Sequence, residues 1–455
     1  MQYRDLYKLA YKCLLDLYGG EGIYASARSE VFGCVFGRDS AITIVKILKF
    51  LGRNIEDVEV DRQKLLDICR LGITALVDLQ GREVNIESGE EPGKFIHEFR
   101  KDNFERLTKR ENPWYVYPDG YLRNYDSIDS TPLTLIAIYK YWKLTGDAVF
   151  LNESLSSVVS GLQWLMSYGD KDGDFILEYE LSGHREHGGL RVQSWTDSFE
   201  SLRQADSSFP VYPIAPVEVQ GYAWLALKLW SQFFFDSRLD TLRVCPTQNP
   251  PSGCDYYNFA EKLDEFASKM KQSFNRRFIF ESEGLKFPPQ ALDGFKNQIK
   301  TVTGNPLLLL WASFESNGRA ESILEDKYVP DLVKRSFMDD LFVTGAGIRT
   351  MSSNASAYNS GEDSYHNGSF WPKLNGMAHE GLELWGYANE AAKLREASLK
   401  PISAFNTPIE LYIKSEDGSY QEYRNKTGQT GCRQQAWSAA TTLDLALLVS
   451  REQPS

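Results

Sequence analysis

Along this chain, apolar residues recur every three to four positions in segment after segment. That period buries one side of an α-helix and predicts helices over 2–18, 39–52, 61–79, 131–145, 151–168, 215–235, 257–275, 304–315, 318–336, 370–388, 387–400 and 433–449. Between them run short links and four long segments, 80–130, 169–214, 337–369 and 401–432, rich in Gly, Asp, Trp and Tyr. Loops of that length in a compact chain are functional or disordered, and their aromatic content argues against disorder. Strand-like alternation is confined to short pieces of them, such as Phe175 to Tyr179 and Glu410 to Ile413. No linker or low-complexity tract divides the 455 residues, so the expectation is one mainly α-helical domain over 1–455 whose long loops gather on one face.

Composition narrows the partners. A formal charge of -12 with no lysine or arginine tract offers no basic face to nucleic acid or to an anionic membrane. The N-terminal stretch MQYRDLYKLAYKCLLDLYGG carries charge throughout, unlike a signal peptide, and no run of about 18 apolar residues could span a bilayer. The six cysteines show no CxxC spacing, which favours a reducing cytoplasm; Cys245 and Cys254 bracket a Pro-rich loop and could pair in an oxidising compartment. Five histidines form no HxH or HxxxH pair, so no metal site is expected. DKDGD at Asp170 to Asp174 has the Asp spacing of a calcium loop but carries Leu181 where the loop's closing Glu belongs, and it reads as an Asx-type turn.

Two carboxylates carry candidate chemistry. Asp197 lies in GGLRVQSWTDSFESLR among Trp195, Phe199, Phe209 and Tyr212; either it caps a helix starting at Ser198, or its desolvated carboxyl serves as an acid near neutral pH. Glu410 stands in a short apolar run, PIELYIK, before a polar turn and the last helix; either it is a solvated strand residue, or it completes a carboxylate pair of the type glycosidases use. Glu416 is a rival, but Ser415, Asp417 and Gly418 around it read as an exposed turn.

Seven stretches in order resemble a known family: GRDS at Gly37 to Ser40, EPGKFIHEFR at Glu91 to Arg100, DSTPLTLIAIYKYWKLTGD at Asp129 to Asp147, WTDS at 195–198, PVEVQGYAW at Pro216 to Trp224, YHNGSFWP at Tyr365 to Pro372 and QQAWSAA at Gln434 to Ala440. Together they resemble the catalytic domain of amylo-alpha-1,6-glucosidase, the glucosidase part of glycogen-debranching enzymes. They are similar more distantly to glucoamylases and to the trehalase and mannosylglycerate hydrolase groups. The resemblance implies an all-α fold, an (α/α)6 barrel with its site in the funnel at one end and no separate N-terminal β-domain. It implies an inverting, exo-acting hydrolysis of α-glucosides without a cofactor, Asp197 giving a proton to the glycosidic oxygen and Glu410 activating water across a gap of roughly 6.5–9.5 Å. Candidate sugar contacts are Arg38, Asp39, Gln193, Trp195, Tyr365, His366, Asn367, Trp371, Gln435 and Trp437. Arg38 and Asp39 match a similar Arg-Asp-Ser of glucoamylases; Trp195 and Trp437 either stack on a sugar or fill the core. Glu178 and Glu218 lie in or beside the matching segments, Glu218 as a sugar ligand or a buried brace.

Other chemistries on the same barrel are a disaccharide phosphorylase, a sugar epimerase and a barrel that binds sugar without cutting it. Phosphorylases dispense with the base, whereas Glu410 is present; barrel epimerases rely on paired histidines, which this chain lacks. The Pro-rich insertion at 235–258, the linkage and aglycone preference, and the oligomeric state are left open.

Overall fold

The computed structural model describes residues 5–56, 58–236 and 256–452. Thirteen helices run through them: α1 (Leu6–Asp16), α2 (Gly37–Leu51), α3 (Arg62–Asp78), α4 (Glu105–Thr108), α5 (Ser130–Thr145), α6 (Ala148–Leu165), α7 (Val217–Phe235), α8 (Tyr256–Arg277), α9 (Leu308–Trp311), α10 (Val329–Ser336), α11 (Pro372–Leu384), α12 (Ala388–Phe405) and α13 (Ala436–Glu452). Their packing follows a cycle. α2 touches α5, α5 touches α7, α7 touches α9, α9 touches α11, α11 touches α13, and α13 returns to α2. Outside this ring α1 lies on α13, α3 on α2, α6 on α5, α8 on α7 and α12 on α11, while α10 packs on the 3-10 turn Asn305–Leu307 that leads into α9. Six inner and six outer helices make the expected (α/α)6 barrel, with α4 as an extra turn in a loop.

The sequence sorts the helices into these rings. An inner helix has neighbours on all sides and must be buried on all faces: in α2 every residue but Lys49 is buried, and in α13 the run Ala436 to Leu447 is buried throughout. Outer helices show one apolar stripe, as in α8, which buries Phe259, Leu263, Phe266, Ala267, Met270 and Phe274. The fit is close at α11. A Cβ on Gly381 would stand 2.5 Å from the Trp311 backbone nitrogen of α9, and one on Gly376 would stand 2.1 Å from Thr441 of α13. Only hydrogen fits at either seam. Asp61 and Asp147 cap α3 and α6, accepting from Lys64 N and Phe150 N at 3.0 Å.

The connections are asymmetric. Each link from an outer helix to the next inner one is long and carries short antiparallel strands, such as Val35–Phe36, Glu98–Arg100 and Leu122–Asn124 in one three-stranded sheet. All of these links end at the N-termini of inner helices, so the long loops gather at one end of the ring.

Helices read over 304–315 and 318–336 are shorter. A hairpin, Phe314–Ser316 with Arg319–Glu321, interrupts them, turning on Asn317 and Gly318, both at positive φ. That two-residue turn is what an Asn-Gly pair favours, and it overrides the apolar periodicity around it. Phe175 to Tyr179 forms no strand, only a bridge from Tyr179 to Ile214; near Glu410 the strand is Tyr412–Lys414. α12 continues through a buried Pro401 to Phe405. Of the insertion 235–258, residues 237–255, with Cys245 and Cys254, lie outside the described residues. The other four cysteines are free and buried.

Candidate active site

At the inner-helix N-termini, twelve residues line a cavity of about 350 Å3, mouth included: Phe32, Phe36, Arg38, Asp39, Trp195, Asp197, Tyr365, His366, Trp371, Glu410, Gln435 and Trp437. The ring supplies most of them. Arg38 and Asp39 belong to the first turn of α2, Trp371 precedes α11, and Gln435 and Trp437 flank the start of α13. Asp197 and Glu410 come from two loops that descend between these helices. Flat aromatic walls with a few convergent polar groups are what a sugar site needs.

Arg38 organises the cavity. It is almost fully buried; its Nε donates to Asp129 Oδ2 at 2.7 Å and its Nη1 to Asp197 Oδ2 at 3.1 Å. Asp129 in turn accepts from Ser127 Oγ at 2.6 Å. Gln435 Nε2 donates to Asp39 Oδ1 at 3.0 Å. Arg38 Nη2, Gln435 Oε1 and Trp437 Nε1 have no partner within the protein, so donors and acceptors suited to hydroxyl groups remain at the cavity.

Asp197 does not cap a helix. Ser198 takes the N-cap position of a 3-10 turn, Phe199–Ser201, and the Asp197 side chain turns to Arg38 while keeping 26% of its surface exposed. Burial pushes its carboxyl up to about 6, against the pull of Arg38. His366 lies beside it, with Nδ1 3.9 Å from Asp197 Oδ1. That nitrogen accepts from Ser198 N at 3.2 Å, and burial holds the imidazole well below its ordinary value, so the ring is neutral with its proton on Nε2.

Glu410 is buried and doubly held. The Tyr365 hydroxyl donates to its Oε1, and the Cys432 N–H donates to Oε2 at 2.7 Å. Burial pushes it up to about 7, against these two donors. Glu416, by contrast, is exposed in a turn. Asp39 is pushed up to about 8 by burial, opposed by Arg38 and reinforced by Glu410 and Asp197.

Of the twelve site residues expected from sequence, ten line the cavity; Gln193 and Asn367 do not. Gln193 Nε2 donates to the backbone oxygens of Glu180 and Leu190 and so braces its loop. Asn367 donates to Ala357 O at 2.7 Å and faces a neighbouring hollow with Tyr423 and Asn425. Phe199 stacks on Phe209, centroids 5.5 Å apart, under Arg191 and Arg203, and neither ring is among the residues lining the cavity. Glu178 holds Lys296, which also meets Asp172 at 2.9 Å and Asp174 at 3.1 Å. The carboxylates of the DKDGD turn are thus matched by an internal cation, and Asp170 and Asp172 accept backbone N–H groups as an Asx-type turn does. Sequence reasoning missed Phe32 and Phe36, although both stand just ahead of Gly37 and Arg38, and it missed Lys373 beneath the cavity.

A closed double ring of helices, with paired carboxylates and aromatic walls at the inner N-termini, defines a carbohydrate-processing enzyme. A family model described as amylo-alpha-1,6-glucosidase matches residues 114–444. The chain belongs to the amylo-alpha-1,6-glucosidase family and is a glycoside hydrolase. Among solved structures, a GH63 mannosylglycerate hydrolase from Thermus thermophilus in complex with glucose is similar, with TM-score 0.61 and 13% identity over 96% of this chain and 99% of that one. A glycosidase variant in complex with glucose is similar with TM-score 0.54 and 13% identity, over 98% and 96%. Likeness at that identity speaks to the fold. Comparison with curated proteins finds no match. No helix among the described residues is long and apolar enough to cross a membrane.

Proposed function

We propose that this chain is an inverting, exo-acting α-glucosidase of the debranching (α-1,6) type or one acting on short α-glucosides, with Asp197 as general acid and Glu410 as general base. The observation that carries the reading is that both carboxyls line one cavity, held differently. Glu410 accepts hydrogen bonds on both oxygens, which suits a carboxylate that takes a proton from water. Asp197 has one oxygen on Arg38 and the rest of its carboxyl toward the cavity, which suits a proton donor to the leaving oxygen. Both are moved toward neutrality, where a carboxyl can work in either direction. Arg38, Asp39 and Gln435 would bind sugar hydroxyls, with Trp195, Trp371 and Trp437 as apolar walls. The helix ring closes within this chain and supports a single catalytic domain; the four free cysteines support a reducing, cytoplasmic setting.

Proton NMR of the first anomer released from isomaltose, panose, trehalose, glucosylglycerate and a limit dextrin tests the reading. Initial β-glucose is expected, with Asp197→Asn and Glu410→Gln each slower by about 10²–10⁴-fold. Initial α-glucose, or no release from any of the glucosides, would overturn it.

A further inference from the structure

Lys373 is an anomaly that the two catalytic carboxyls do not explain. It is fully buried near the N-terminus of α11, and its Nζ has no hydrogen-bond partner. A cation is doubly unwelcome there, because it is out of water and sits at the positive end of a helix macrodipole. It does have an aromatic neighbour: Nζ stands 3.8 Å from the centroid of the Trp195 ring and 5.4 Å from that of Trp437, two of the cavity's walls. The Trp195 indole is held on its edge as well. Its Nε1 donates to Asn305 Oδ1 at 3.1 Å, and Asn305 Nδ2 donates to Glu218 Oε2 at 3.3 Å. Trp195 lies two residues before Asp197.

We infer that Lys373 is a positioning residue, seated against Trp195 by a cation–π contact so that the segment 195–197 carries the Asp197 carboxyl at a fixed place in the cavity. The inference rests on the glycosidase reading and adds to it a residue that does not line the cavity. Burial pushes the Lys373 ammonium down to about 7, and Arg38 adds to that push, while Asp129 before α5, Glu218 from α7 and Asp39 from α2 pull the other way and favour its charge. A buried cation with no hydrogen-bond acceptor costs stability, so its persistence points to use.

The test is Lys373→Met, which keeps the stem and removes the charge, set in a cycle with Trp195→Phe. Lys373→Met is expected to melt at or above the wild-type temperature, since an ammonium without an acceptor is lost. Its kcat is expected to fall about 10–100-fold with KM little changed, because a displaced acid weakens the transition state more than substrate binding. The double variant should be no slower than the poorer single one. The near-UV circular dichroism of Trp195, read as the difference between Trp195→Phe and its parent, should be reduced in the Lys373→Met background, where only the Asn305 hydrogen bond and the ring contacts with His366 and Trp371 still hold the indole. That signal needs no substrate, so it separates failure of this inference from failure of the glycosidase reading. A lower melting temperature, retained kcat, multiplying losses or an unchanged Trp195 signal would each make Lys373 a structural fixture and overturn the proposal.

Discussion

Replacing Tyr365 with Phe removes one of the two donors to Glu410 and leaves the ring that packs against His366 and Trp371. A hydrogen bond to a charged group contributes about 1.5–3 kcal/mol, and 1.36 kcal/mol corresponds to one pH unit. Loss of the hydroxyl therefore makes Glu410 easier to protonate by about one to two pH units, starting from a value already pushed up to about 7 by burial. If Glu410 is the base, only its ionised form works. At acid pH the kcat/KM of Tyr365→Phe should then fall by about 10–100-fold, by about half that factor at neutral pH, and above roughly pH 10 the two enzymes should converge, because Glu410 is ionised in both. The assay is kcat/KM against pH on whichever α-glucoside the anomer experiment identifies, with the melting temperature as a check on folding. The sign tests the role itself: a Glu410 that donated protons would be helped by easier protonation, and the variant would gain activity at alkaline pH. A gain there, or an equal loss at every pH, would refute the reasoning.

Glu218 is fully buried, and burial raises its carboxyl to about 7 from an ordinary 4.5. The folded protein thus holds a proton on it that the unfolded chain releases between these values, so ionisation erodes stability as pH rises through that window, by about 3 kcal/mol once complete. Glu218→Gln should consequently raise the melting temperature relative to wild type at pH 8 and change it little at pH 4.5; an equal effect at both, measured by calorimetry, would remove the cause given. Gly381→Ala should lower stability by about 1–3 kcal/mol, since the added carbon meets backbone rather than a flexible side chain, and a denaturant titration that finds no loss would show that the α9–α11 seam can open.

What could be read from the sequence follows its physics. Inner helix α7 carries a long apolar run, Gly221 to Leu227, and outer helices such as α8 repeat one stripe, so helix number and order were legible. The hairpin at Asn317 and Gly318 was signalled by those two residues but masked by apolar neighbours whose spacing fits a helix. In the site, aromatic and carboxylate residues in loops stood out, and ten of twelve line the cavity. Gln193 was chosen as a polar group beside a matching segment, yet along a loop sequence position does not fix direction, and its amide serves the backbone. Lys373 was invisible for the opposite reason: a lysine beside a proline at a helix start looks like a solvated surface residue, and only closure of the ring buries it.

The closed ring also accounts for where the charges lie. Six helices pointing their N-termini at one place create a region of positive potential, and carboxylates at such ends are favoured. Asp39 stands in the first turn of α2, Asp129 at the N-cap of α5 and Glu218 in the first turn of α7, although none of the three helices uses that side chain as a capping acceptor. The field is thereby spent on a common centre. Arg38 lies within it, as does Lys373, whose ammonium burial pushes down to about 7, and burial leaves Asp39, Glu218, Glu410 and Asp197 all above their ordinary values. A centre whose carboxyls hover near neutrality exchanges protons at small cost, which acid and base in a single hydrolysis both require. The arrangement that makes the folded protein's stability sensitive to pH is therefore the same one that equips the cavity for its chemistry.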